Sequence, residues 1–306
     1  MPIKIPDSLP ATTTLEGENI FVMTEYRAMH QDIRPLNLLI LNLMPTKIVT
    51  ETQLLRKLSN SPLQVQVELL HTLSHVSQNT DASHLSSFYT TFDQIKDRKY
   101  DGMIITGAPV EHLEYEDVDY WQELCTIMEW SKSHVYSTVH ICWGAQAGLY
   151  YHYGIQKHLL PHKVFGIFPQ LLCDEYNFLT NGFDEVHMTP HSRHTAIDEE
   201  ALAKVKELEV LSRSNTTGSN IIATRDFRRI FIMGHLEYGK DTLAQEYFRD
   251  LNQGKEIQIP YNYFPEDDPS KEPLFKWRAH ANLLYRNWLN YVYQMTPFDL
   301  KDLTTG

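Results

Sequence analysis

The sequence predicts an α/β fold: an open, mostly parallel sheet with helices on both faces, with short added strands and C-terminal helices. Three observations predict it. Residues 38–43 (LLILNL) form a short, nearly continuous apolar run, as a strand covered on both faces requires. Runs of that kind alternate with segments of helical periodicity through the first half of the chain. Glycines stand where those runs should stop, at Gly107 and Gly154.

Taken in order, residues 1–35, with Pro2, Pro6 and Pro10 among mixed polarity, read as an irregular lead-in. After the strand at 38–43, residues 50–58 place Leu54, Leu55 and Leu58 at helical spacing. Residues 63–69 (LQVQVEL) alternate strictly and read as a second strand. Residues 88–95 read as a helix, 103–106 as a third strand, 120–130 as a helix and 135–141 as a fourth strand. A helix over 144–153 then stops at Gly154. Beyond it, 164–168, 185–188, 208–211, 221–224 and 230–233 read as short strands, extending the sheet or adding an antiparallel flap. Residues 242–251 form a helix between Gly239 and Gly254, and 255–272, rich in proline, tyrosine and acid, form an ordered surface loop. The last element, 277–293, is an amphipathic helix carrying Trp277, Leu284, Trp288, Leu289 and Val292. No linker is evident, so residues 1–306 read as one domain with a soft division near Gly154.

Composition excludes several function classes. A net charge of −12 disfavours nucleic acid and anionic membrane surfaces, and the run Arg225-Asp226-Phe227-Arg228-Arg229 is broken by acid. The cysteines Cys125, Cys142 and Cys173 are odd in number and scattered, which suits a reducing compartment rather than a disulfide framework. The N-terminus lacks the apolar core of a signal peptide, and the run at 38–44 is far short of a membrane span. The expected location is the cytoplasm.

The strand at 135–141 runs directly into Cys142-Trp143-Gly144-Ala145-Gln146-Ala147-Gly148. A nucleophile between strand and helix, followed by small residues, is the sequence form of a nucleophile elbow. The turn presents the sulfur at the strand's carboxyl end, and the following helix aims free N–H groups at it. That dipole favours a thiolate, which is a minority species at the ordinary thiol pKa of about 8.5. The main-chain N–H of Trp143 is then a natural oxyanion donor, and the Gly107-Ala108 turn supplies the second candidate. The plainer reading of a buried cysteine, as a small apolar core residue, suits Cys125 within its apolar helix.

His235-Leu236-Glu237 follows the strand at 230–233. Residues two apart on extended chain point the same way, so Glu237 can accept the His235 N–H and fix its tautomer. These residues alone serve a glutaminase, a hydrolase or an acyltransferase equally well. An α/β-hydrolase elbow is absent, because the chain has no G-x-S-x-G. A non-catalytic scaffold would be expected to have lost part of the triad.

The elbow ICWGAQAG with G-H-L-E downstream resembles the class I glutamine amidotransferase fold. The longer stretches LNLMPTKIVTETQLLRKLSNSPLQV, YDGMIITGAPVEHLEYEDVDYW and PHSRH narrow the resemblance to homoserine O-acyltransferases built on that fold. The resemblance implies Cys142 as acyl-thioester nucleophile, His235 as proton acceptor and Glu237 as its orienting carboxylate. It assigns Lys163, Ser192 and Arg249 to substrate binding. It also implies L-homoserine and an acyl-CoA as substrates (acetyl-CoA by the residue at 111, with succinyl-CoA as the alternative), no resident cofactor, a place in methionine biosynthesis and a homodimer.

Homoserine is a zwitterion and wants a cation for its carboxylate and an acceptor for its amine. Glu246 and Arg249, three apart on the helix at 242–251, share a face and could fill both roles. The plainer alternative is an exposed intrahelical ion pair worth a few tenths of a kcal/mol. His187, His191 and His194 have a spacing that could converge on a helix, but Pro190 interrupts it and no carboxylate or cysteine completes a metal site. Glu111 follows the turn at Gly107; in the family a glutamate here goes with acetyl-CoA and a glycine with succinyl-CoA. A glutamate fills the space of the longer acyl chain and repels its carboxylate, by about 4 kcal/mol at about 4 Å and an effective dielectric near 20.

Overall fold

In the computed structural model, which describes residues 3–6, 9–17, 22–24, 34–74, 80–174 and 177–304, one twelve-stranded sheet runs through the chain. The first half supplies β1 (Ile3–Ile5), α1 (Pro10–Gly17), β2 (Val22–Thr24), β3 (Leu36–Leu41), α2 (Lys47–Leu58), β4 (Val65–Leu70), α3 (Ala82–Phe88), β5 (Tyr89–Thr90), α4 (Phe92–Ile95), β6 (Tyr100–Ile105), α5 (Trp121–His134), β7 (Val135–Ile141) and α6 (Trp143–Tyr153). The second half supplies β8 (Lys157–Leu172), β9 (Val186–Ile197), α7 (Glu199–Lys204), β10 (Leu208–Ser214), β11 (Gly218–Thr224), β12 (Arg229–Ile232), α8 (Thr242–Asn252) and α9 (Arg278–Met295). The strand order is β2-β1-β4-β3-β6-β7-β12-β11-β10-β8-β9, with β5 on β4.

Pairing is parallel from β2 through to β12 and antiparallel from β12 to β9. At the centre of the parallel arm β3, β6 and β7 are buried on both faces, which explains the nearly continuous apolar run at 38–43. Leu38 and Ile40 of β3 enter a core shared with α1, α2 and α9, while Leu39 and Leu41 enter the opposite core, built on α5. α9 docks through Leu284, Trp288, Leu289 and Val292 of the stripe visible in the sequence, together with Ala281, and the Trp288 indole N–H donates to Ser137 Oγ at 3.0 Å.

Four sequence expectations change. Residues 1–35 are not an irregular lead-in where described: β1 and β2 add parallel strands at the sheet edge, β1 pairing Ile3 with Val65. Pro10 opens α1 at the position where its missing N–H costs nothing, and Leu9, Ala11 and Leu15 are buried. The helix expected over 88–95 is instead α3, the two-residue β5 and the single turn α4, because Tyr89 and Thr90 pair with β4. The short strands expected at 164–168 and 185–188 are parts of a long hairpin, β8–β9, with a register shift between Leu159 and Val164. The loop at 255–272 is ordered but not only surface: Tyr263 and Phe264 are buried, and Tyr261 bridges to Gly166 of β8. Among the described residues no helix is long and apolar enough to cross a membrane.

The consequence for function is positional. β6, β7 and β12 are neighbours, so the turns after them, carrying Gly107, Cys142 and His235, meet at one carboxyl edge of the sheet.

Candidate active site

Cys142 is the N-cap of α6 and holds φ 50°, ψ −115°, a conformation that side chains rarely adopt. Its surroundings impose that turn. Cys142 N–H donates to Ile232 O of β12 at 2.7 Å, and Ala145 and Gln146 N–H both donate to Cys142 O at 3.0 Å. Only glycine fits at 144, since a Cβ there would stand 2.5 Å from Thr106 O. The Trp143 main-chain N–H opens the helix, where no intrahelical acceptor exists. Its indole is turned away into the core, packed near Tyr115 and Tyr120. Gly107 closes the other side: a Cβ there would lie 3.3 Å from Cys142 Cβ and 3.7 Å from His235 Cε1.

His235 is held from two directions. Its main-chain N–H donates to Pro190 O at 2.8 Å, and its Nδ1 donates to Glu237 Oε1 at 2.7 Å. The chain reaches this position only because Gly234 has no side chain; a Cβ there would meet Thr189 Cγ2 at 2.2 Å. With Nδ1 committed to Glu237, Nε2 is left for Cys142, whose charge acts on the imidazole. Burial alone would push this imidazole toward neutrality. The charges on Cys142 and Glu237 outweigh burial and hold His235 well above its ordinary 6.5.

The structure brings Lys163, Ser192 and Glu246 together. Glu246 Oε1 accepts from Ser192 Oγ at 2.7 Å and from Lys163 Nζ, whose ammonium lies 4.3 Å from the centre of the Phe165 ring. Arg249 is not drawn in: its Nε donates to Asp250 Oδ1 at 2.8 Å and its side chain is 57% exposed. The intrahelical Glu246–Arg249 ion pair, the plainer alternative from the sequence, does not form; Glu246 pairs with Lys163 instead, because β8 delivers a lysine to the face of α8 that the carboxylate occupies. Glu111 is half-buried, not a solvated loop acid. Its Oε2 accepts from His194 N–H at 2.6 Å, Thr195 N–H at 3.2 Å and Thr195 Oγ1 at 3.0 Å. Thr195 Oγ1 also lies 2.8 Å from Gln146 Oε1, linking Glu111 to the helix that follows the nucleophile. The histidine run forms no helix; it lies along β9, with His187 and His191 fully buried. Among the described residues no group of three His, Cys, Asp or Glu could hold a metal ion.

Two residues at the site escaped the sequence reading. Tyr238 stacks on His235, ring centres 4.1 Å apart and planes 11° from parallel. Burial, then the charges of Glu246, Glu237, Cys142 and Glu111, hold its hydroxyl well above 10. Arg193 is a buried guanidinium that donates to the carbonyls of Thr195 and Thr217 and lies close enough to feel the charges of Cys142 and Glu111. The adjacent motifs G-H-L-E-Y and PHSRH were the available signals.

A sequence model described as Homoserine O-succinyltransferase matches residues 2–298. The chain belongs to this family. It is 60% identical to a homoserine O-acetyltransferase of Acetivibrio thermocellus, over 99% of this chain and 100% of that one. It is equally 60% identical to a homoserine O-acetyltransferase of Brevibacillus brevis, over 99% of each chain. Among solved structures, a glutamine amidotransferase of Thermotoga maritima aligns with TM-score 0.56 at 12% identity, covering 85% of this chain and 99% of that one. One from Methylobacillus flagellatus aligns with TM-score 0.54 at 13% identity, covering 85% and 96%. The fold of this acyltransferase family is thus the glutamine amidotransferase fold.

Proposed function

We propose that the protein transfers an acetyl group from acetyl-CoA to the γ-hydroxyl of L-homoserine through an acyl-enzyme on Cys142. The observation that carries this reading is the meeting of Cys142, His235 and Glu237 at one sheet edge, beside the Lys163–Glu246 ion pair. Relatives of this chain named homoserine O-acetyltransferase support the choice of substrates.

In the first half-reaction the Cys142 sulfur attacks the thioester carbonyl, and the oxyanion takes hydrogen bonds from main-chain N–H groups at Trp143 and at the Gly107-Ala108 turn. Collapse expels the CoA thiolate, which takes the proton that His235 holds. His235, now neutral, accepts the homoserine γ-hydroxyl proton in the second half-reaction, and the alkoxide oxygen attacks the acyl-enzyme. Glu237 keeps the imidazole in one tautomer throughout, and the Tyr238 ring covers its face, excluding water.

Lys163 and Glu246 suit the zwitterion. Homoserine can insert between them, its carboxylate toward Lys163 and its ammonium toward Glu246 and Ser192. Arg249, on the same helix face as Glu246, joins the carboxylate by leaving Asp250. Glu111, pinned to β9 at Oε2, sets the acyl length: it occupies the space past an acetyl group and presents charge where a succinyl carboxylate would lie. The test is kinetic. Double-reciprocal plots at several homoserine concentrations should be parallel, as a ping-pong mechanism demands, and glutamine should yield no ammonia. Intersecting lines, or glutaminase activity, would contradict the reading.

A further inference from the structure

A cleft of about 890 Å³ lies between α2, the turn that follows Tyr238, and the start of α9. Cys142 does not line it, so it is distinct from the site of bond making. Among the described residues its charged lining is Arg56, Lys57, Lys240 and Arg278 against Asp241. In a chain of net charge −12, that clustering of cations in a concave surface is the reverse of the overall balance and focuses positive potential.

The cleft shares its walls with the candidate active site. Gly239 to Thr242 continue directly from the His235–Tyr238 segment, and Thr242 Oγ1 accepts from Gln53 Nε2 of α2 at 2.9 Å. On α8, Gln245 lines the cleft and the next residue, Glu246, holds Lys163 and Ser192. α2 begins just past the carboxyl end of β3, where Leu43 N–H donates to Thr106 Oγ1, next to Gly107. Ile48 and Val49, 42% and 48% exposed, therefore stand at the active-site end of the cleft. Arg56 lies two turns further along α2, about 12 Å away.

We propose that this cleft seats the phosphate-bearing end of the CoA thioester, with the pantetheine arm running along α2 past Val49 and Ile48 to Cys142. The assignment rests on acyl-CoA being the donor. The partition of residues matches the ligand: apolar side chains and an amide at the near end, the guanidinium groups of Arg56 and Arg278 at the far end. Arg278 lies over the Phe275 ring at 4.5 Å and occupies the first turn of α9, whose N-terminal N–H groups add to the positive potential. Lys57 lies beneath, its Nζ 3.5 Å from Asn282 Oδ1. Burial and then the neighbouring Arg56 charge lower it to about 8, a cost that an arriving phosphate would offset. Lys240 is paired with Glu272 at the rim.

The test compares acetyl-CoA with S-acetylpantetheine, which keeps the thioester and arm but has no phosphate, in wild type, Arg278→Gln and Arg278→Glu. A carboxylate suits the first turn of a helix, so the charge reversal does not oppose folding. We expect Arg278→Glu to lower kcat/KM for acetyl-CoA by at least about tenfold, with Arg278→Gln intermediate. Neither should shift the S-acetylpantetheine value by more than about twofold, and the acetyl-CoA KM should rise with ionic strength more steeply in wild type. Equal losses on both donors in Arg278→Gln, or no loss on either, overturns the assignment of the cleft. If the wild type releases thiol from neither donor, the acyl-CoA reading of Cys142 has failed and the cleft assignment falls with it.

Discussion

Replacing Glu111 separates the two parts of acyl-donor selection. In the structure its Oε2 takes three hydrogen bonds from His194 and Thr195, so the carboxylate is fixed in place and its charge is partly neutralised by those donors. The full repulsion against a succinyl carboxylate, about 4 kcal/mol at about 4 Å, is therefore an upper figure. Taking about half to survive gives ~2 kcal/mol, or roughly thirtyfold in relative kcat/KM. Glu111→Gln keeps the volume and an acceptor while removing the charge, so it should raise the succinyl-to-acetyl ratio by about that factor. Glu111→Gly removes both and should raise the ratio further. It also leaves two N–H groups of β9 to find water, at about 1 kcal/mol or more of stability. The assay is thiol release from each donor at saturating homoserine, with thermal midpoints recorded alongside. An unchanged ratio in a folded, active Glu111→Gly enzyme would remove this residue from donor selection.

Three further outcomes follow from the same geometry. Glu246→Gln and Arg249→Ala should each raise the homoserine KM about tenfold or more while leaving acyl-enzyme formation intact; equal loss of both half-reactions would refute a role in acceptor binding. Gly144→Ala drives a Cβ to 2.5 Å from Thr106 O and should cost about 1–3 kcal/mol of stability, measured by urea unfolding; a neutral effect would mean that the elbow is not so constrained. Stability should also fall in mild acid. Burial pushes His140 and His187 down to about 3 and His191 well below 6.5, so the unfolded chain binds protons near pH 6.5 that the folded chain refuses. Their contribution is complete above pH 6.5 and is lost as pH falls toward 3, at up to ~1.4 kcal/mol per pH unit for each. His235, raised rather than lowered, has the opposite sign and loses its contribution as pH climbs above 6.5. A flat urea midpoint between pH 7 and 5 would contradict this, and His140→Gln should reduce the slope.

What the sequence displays well is whatever depends on local pattern with burial on both faces. β3, β7 and the Cys142 elbow are readable because every leucine and isoleucine of β3 meets a core, and because a strand, a nucleophile and small residues follow without interruption. β1 and β2 are not readable, since three-residue strands exist only through pairing with each other and with β4. The β8–β9 hairpin carries prolines and polar residues that mimic loops, and only its long antiparallel register makes it a sheet. Within the site, the sequence paired Glu237 with His235 by assuming extended chain; the pair forms, but within a turn closed by Tyr238 N–H donating to His235 O at 3.2 Å. Lys163, by contrast, meets Glu246 across 83 positions, and the stacking of Tyr238 on His235 needs a turn that no periodicity announces. Arg249 shows the limit in the other direction: helical spacing placed it beside Glu246, and Asp250 took its guanidinium instead.

Cys142 as the acyl-bearing atom is the claim on which the rest depends. The most direct measurement is the intact mass of the protein after brief mixing with acetyl-CoA in the absence of homoserine, in wild type and in Cys142→Ala. The wild type should gain the mass of one acetyl group, lose it on addition of homoserine, and gain none when Cys142 is replaced. An acetyl adduct that persists in Cys142→Ala, or full turnover with no adduct on the wild type under any quench, would contradict the mechanism.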